Sequence, residues 1–171
     1  MRKEIVTGVI LGFFFSTSSF AVPMTEIWYE VNELDSGRWL YNYEVSNISL
    51  TVPIEEFTIW FDFGLYDNLA IETPSSLSND WDEIVLQSEP VLKDNGAYDA
   101  KALGLGIGVG GIVSGFVVSF DWLGESEPGS QFYEIIDGKT FGTIDSGFTI
   151  PEPSMLLMLA LGGLFLRRRT R

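Results

Sequence analysis

Arg38-Trp39-Leu40-Tyr41-Asn42-Tyr43-Glu44-Val45-Ser46 decides the fold. Trp39, Tyr41, Tyr43 and Val45 fall on one side of an extended chain, and Asn42, Glu44 and Ser46 fall on the other. Period-two alternation of aromatic and β-branched residues against polar ones is the mark of a half-buried strand. The pattern recurs in Phe57, Ile59, Phe61 and Phe63 against Thr58, Trp60 and Asp62, and in Phe116, Val118, Phe120 and Trp122 against Val117, Ser119 and Asp121. Further strands are predicted at 26–32, 69–73, 81–87, 97–102, 131–136 and 140–150. Turn chemistry separates them at Asp35-Ser36-Gly37, Thr73-Pro74-Ser75-Ser76, Asp94-Asn95-Gly96, Glu127-Pro128-Gly129 and Asp137-Gly138. Ile136-Asp137-Gly138-Lys139-Thr140 is expected to close as a two-residue hairpin. No stretch of this body has a helical period. The expectation is all-β: an antiparallel, jelly-roll-like β-sandwich over residues 22–150.

Working outward, the composition changes sharply at both ends. Residues 22–150 hold 22 of the 24 acidic residues and only Arg38, Lys93, Lys101 and Lys139 as cations, a formal charge of −18 against −14 for the whole chain. Such a field repels phosphate backbones, so nucleic acid is not an expected partner. It suits solubility, divalent cations, or life among other anionic polymers with which it must not collapse. Nineteen aromatic residues in the same stretch supply a core large enough to do without disulfides, and the chain has no cysteine.

Ahead of the body, Met1-Arg2-Lys3 is basic, Ile5 to Phe15 is mostly apolar, and Ser19-Phe20-Ala21 places small residues at the −3 and −1 positions of a signal-peptidase site. Residues 1–21 read as a signal helix that is cut after Ala21. Behind the body, Pro151-Glu152-Pro153-Ser154 precedes twelve residues, Met155 to Leu166, with no polar side chain. Arg167-Arg168-Arg169-Thr170-Arg171 follows. Two prolines stop a strand and keep the backbone extended, as a processing site needs. Arginines beyond an apolar run act as a stop-transfer that stays cytoplasmic and leaves the body outside. Twelve residues span about 18 Å as helix against a hydrocarbon core of about 30 Å, so the segment is a short, marginal anchor.

That order of proline motif, apolar segment and arginine cluster resembles the PEP-CTERM sorting signal, a tail also known as the ice-binding protein C-terminal domain. The resemblance implies an exosortase as processing partner, transient inner-membrane anchoring in a Gram-negative bacterium, and release to a cell surface or matrix containing exopolysaccharide. No regular threonine ladder supports ice binding.

The chemistry is narrowed mostly by exclusion. With neither histidine nor cysteine, Ser-His-Asp and Cys-His nucleophilic sites and zinc centres of the usual kind are impossible. Gly106-Ile107-Gly108-Val109-Gly110-Gly111 matches a dinucleotide fingerprint. A strand rather than a helix follows it, so it reads as a flexible glycine-rich connection. Carboxylates cluster at Asp80-Trp81-Asp82-Glu83, at Asp94…Asp99 and at Asp121…Glu125…Glu127. They are expected to be solvated acidic loops, with calcium the one cation left open. No cofactor is expected. Among the tryptophans, Trp60 stands opposite the Phe57/Ile59/Phe61/Phe63 stripe and Trp81 stands among acids, which makes these two the candidates for stacking on sugar. The primary expectation is a non-enzymatic exported surface or matrix protein. A carbohydrate-binding module stays open beside it, as does a glycosidase working through two carboxylates across a cleft.

Overall fold

The computed structural model describes residues 23–35 and 37–153. The signal segment with Ser19 and Ala21, together with Ser154, the apolar run and Arg167, Arg168, Arg169 and Arg171, lies outside the described residues. So do both expected terminal helices. No helix among the described residues is long and apolar enough to cross a membrane.

The body is a sandwich of two five-stranded sheets. Its strands are β1 (Thr25–Asp35), β2 (Arg38–Asn47), β3 (Glu56–Phe61), β4 (Tyr66–Ile71), β5 (Trp81–Leu86), β6 (Gly96–Ala102), β7 (Ile112–Trp122), β8 (Phe132–Ile136), β9 (Thr143–Phe148) and β10 (Ile150–Pro151). The first sheet is ordered β10-β1-β2-β7-β4 and the second β5-β6-β3-β8-β9. Every neighbouring pair is antiparallel except β1 and β10. β1 begins opposite Asn47 and ends opposite Arg38, which gives the sandwich two poles. The glycine-rich connection 103–111 lies at the pole where β1 begins. β10 runs parallel to β1, so the described chain leaves toward the opposite pole.

The alternating stripes meet between the sheets. Tyr41, Tyr43, Val45, Phe116, Val118 and Phe120 from one sheet face Phe57, Ile59, Phe61, Tyr98 and Ile135 from the other, all fully buried. Burial of each large apolar side chain contributes about 1.5–3 kcal/mol. The rings interlock edge to face, with Phe57 and Phe116 centroids 5.0 Å apart and Phe61 and Tyr66 also 5.0 Å apart. A buried phenol needs a partner for its hydroxyl. Tyr41 Oη donates to Gly129 O at 2.7 Å and accepts from Gln131 Nε2 at 2.6 Å, while Tyr133 Oη donates to Thr25 O at 2.9 Å. Burial, reinforced by the neighbouring Tyr66, pushes the Tyr41 hydroxyl far above its ordinary value, so it stays a neutral donor.

Several expectations are corrected by local chemistry. Residues 140–150 were expected as one strand but form β9 in the second sheet and β10 in the first. The chain crosses at Thr149, whose Oγ1 accepts from Gln131 N at 2.9 Å. The two-residue hairpin at Asp137-Gly138 is instead a six-residue loop. Asp137 Oδ1 accepts the amides of Lys139 and Thr140 at 2.9 and 2.7 Å, and Phe141 N donates to Asp137 O, a helical-type turn that carries the chain past a tight hairpin. Ser75–Ser78 forms one short helix, α1. The glycine-rich connection is tied down rather than flexible. Ile107, 2% exposed, exchanges both backbone bonds with Ile54 at 2.9 Å and takes a third from Asn47 Nδ2. Gly106 makes this approach possible: its φ is +66° and a Cβ there would lie 2.3 Å from Ile54 O.

Candidate functional site

Two places hold the residues that the sequence singled out. The first is the edge of the first sheet. Ile150 and Pro151 lie beside Trp28 and Tyr29, and Glu152 N donates to Tyr29 O at 2.9 Å. Pro151 lacks an amide hydrogen, which an edge strand tolerates. The proline motif therefore begins on the fold itself, and the boundary expected between residues 150 and 151 falls inside the last strand. Pro151, Glu152 and Pro153 are all exposed.

The second is the outer face of the second sheet, built by strand register. Trp60 pairs with Ala97 on one side and Phe132 on the other, Ala97 pairs with Leu86, and Phe132 pairs with Phe148. A single row, Leu86-Ala97-Trp60-Phe132-Phe148, thus crosses all five strands. Leu86 is 55% exposed, Phe132 39% and Phe148 66%. Trp60 is half-buried, and its Nε1 donates to Glu134 Oε2 at 2.9 Å. One pleat further on, about 7 Å away, runs a second row on the same face, Ile84-Asp99-Thr58-Glu134-Ser146. Glu134 Oε1 accepts from Thr143 Oγ1 at 2.8 Å, and Asp99 Oδ2 accepts from Thr58 Oγ1 at 2.7 Å. Half-burial raises the Asp99 carboxyl above its usual range, against the opposing effect of the Thr58 hydrogen bond. Beside Trp60 a groove of about 740 Å³ opens between this face and the loop joining β5 and β6.

Trp81 does not share that surface. It is 5% exposed and its ring packs against Phe57 and Phe116, with centroids 5.8 and 5.1 Å away. On β5 the positions 81, 83 and 85 face inward, so a tryptophan flanked by acids in sequence is a core residue. Trp81 therefore drops out of the expected pair, and Trp60 instead shares its face with Phe132 and Phe148, two residues for which the sequence carries no such signal. Phe132 and Phe148 stand 5.6 Å apart at 63°, so the row is corrugated rather than flat.

The acidic clusters disperse. Asp82 lies on the outer face beside Lys101, which pairs with Glu56 at 3.0 Å. Glu83 turns inward and accepts from Thr73 Oγ1 at 2.6 Å and from the Tyr98 hydroxyl. Asp121 binds Asn68 Nδ2 at 2.6 Å and Arg38 Nη1 at 3.1 Å, which together hold its carboxyl below the usual range. Among the described residues no three carboxylates gather as a cation site.

Comparison with known proteins separates the two ends of the chain. A search of curated proteins finds no match. Among solved structures, the family 3b carbohydrate-binding module from the biomass sensoring system of Clostridium clariflavum is 10% identical with a TM-score of 0.42, covering 76% of this chain and 87% of that one. The GH20 exo-β-N-acetylglucosaminidase from Vibrio harveyi, solved with N-acetylglucosamine, is also 10% identical, with a TM-score of 0.38 over 76% of this chain and 18% of that one. Likenesses this distant transfer nothing to this chain. The family model for the PEP-CTERM protein-sorting motif, by contrast, matches residues 149–171. This chain therefore carries a PEP-CTERM sorting motif joined to the last strand of a β-sandwich, and is an exported protein whose processing partner is an exosortase.

Proposed function

We propose that the sandwich is the displayed part of a non-enzymatic protein of the cell surface or extracellular matrix of a Gram-negative bacterium. The tail is its transient inner-membrane address. The observation that carries this reading is the continuity of fold and motif: the residue after β10, Glu152, still bonds to β1, and the apolar segment begins at Met155. A body of formal charge −18 held this close to a membrane remains soluble once the tail is cut. The absence of histidine and cysteine supports a binding or structural role over nucleophilic or zinc chemistry. Signal peptidase and an exosortase are the processing partners, and exopolysaccharide is the surrounding polymer.

Two variants expressed in the native host test the sorting role. Replacing Pro151, Glu152 and Pro153 by alanine should trap full-length precursor in the membrane fraction. Replacing Arg167, Arg168, Arg169 and Arg171 by serine should leave unprocessed protein in the periplasm, because the basic flank no longer retains the apolar segment. An alanine variant that fractionates and migrates like wild type would reduce the tail to an ordinary anchor.

A further inference from the structure

We infer that the outer face of the second sheet binds a single chain of neutral polysaccharide lying across the strands along the Trp60-Phe132-Phe148 row. This deepens the surface-protein reading by naming what the exported body meets.

The two rows form an amphipathic track. The aromatic row offers apolar ring faces, and the row beside it offers Asp99, Glu134 and Ser146, with the buried Thr58 holding the Asp99 carboxylate. A pyranose has the matching asymmetry, with C–H groups on its faces and hydroxyls around its rim. Carboxylates only accept hydrogen bonds, so they complement hydroxyl donors. Glu134 is already oriented by Trp60 Nε1 and Thr143 Oγ1, leaving lone pairs for the ligand. That preorganisation lowers the ordering cost of binding.

Charge selects the class of occupant. The body's −18 repels polyuronates and sulfated polymers. It also disfavours a second copy of this chain, which would bring the same acidic field and the carboxylates of Asp99 and Glu134 face to face with their own copies. Ring geometry narrows the ligand further. With Phe132 and Phe148 at 63°, the row cannot lie flush on a flat crystalline polymer. A single chain can settle into the groove at Trp60 and pass over Phe148.

Affinity electrophoresis of the full chain, purified in a sugar-free zwitterionic detergent, tests this. The gels contain soluble glucan, mannan, xylan or galactan, with alginate as the anionic control. At least one neutral polymer should retard the protein and alginate should not. Trp60→Ala and Phe148→Ala should weaken retardation about tenfold or more, while Trp60→Phe retains part of it. Circular dichroism should show both alanine variants folded. The inference is overturned if no neutral polymer retards the chain, if Trp60→Ala migrates like wild type, or if Phe148→Ala abolishes a concentration-dependent dimer seen by sedimentation. Each of those failures leaves the sorting role standing, because membrane fractionation does not involve this face.

Discussion

The inner and outer faces of the second sheet are made by the same five strands and differ only by one residue of phase. Inward, Val85-Tyr98-Ile59-Tyr133-Gly147 forms a row that closes against the first sheet. Outward, the next residues along form Leu86-Ala97-Trp60-Phe132-Phe148. Both rows are apolar, yet only the inner one is covered: Ile59 is fully buried, whereas on the outer row Ala97 is buried but Leu86 is 55% and Phe148 66% exposed. The fold needs the first row and not the second. An aromatic row left open on an acidic exported protein therefore calls for a functional reason.

The contrast can be broken at its strongest point. Phe57→Ala removes a fully buried ring that touches Phe116 and Trp81. It should cost about 3–5 kcal/mol in urea unfolding, whereas Phe148→Ala should cost less than about 0.5 kcal/mol. Comparable losses would mean that the outer row is structural. A smaller effect is expected at the glycine-rich connection. Gly106→Ala places a Cβ against Ile54 O at a φ of +66°, and should destabilise by about 1–3 kcal/mol. An unchanged melt would restore the flexible connection that the glycines alone suggested.

The smallest effect tests the polar row. Asp99 has its carboxyl raised by burial. Its folded value lies above its unfolded one, so the charged form costs stability at neutral pH, and that cost is relieved as pH falls through the raised value. Asp99→Asn should therefore stabilise slightly near pH 7 and become neutral in effect once the pH is below the ordinary aspartate value of about 3.9. A variant less stable than wild type at neutral pH would show that the Thr58 contact outweighs burial.

Much of this architecture was legible in the sequence, because alternation is a local property. Trp39 to Val45, Phe57 to Phe61 and Phe116 to Phe120 alternate cleanly, and all three become core strands. What the sequence concealed depends on pairing. Trp81 sits between Asp80 and Asp82, and the exposed Ile84 and Leu86 on the opposite phase mask its inward period. The aromatic row exists only once five registers are fixed, so Phe132 and Phe148 gave no signal of their own. β10 is two residues long, too short for any period, and the proline motif gave no hint that it begins on a sheet edge. The tail was legible for another reason: its signal is an order of residue types, which needs no fold.

Trp60 and Trp81 carry the comparison in its simplest form, since both are tryptophans of the second sheet facing opposite ways. Thermal melts of the full chain with Trp60→Ala and with Trp81→Ala separate the two faces of the sheet. Trp81→Ala, which removes a ring packed on Phe57 and Phe116, should lower the Tm by more than about 10 °C. Trp60→Ala, which removes an outer-face ring held by one hydrogen bond to Glu134, should stay within about 3 °C of wild type. Equal losses, or a larger loss at Trp60, would contradict the division between a face that folds the protein and a face left free to bind.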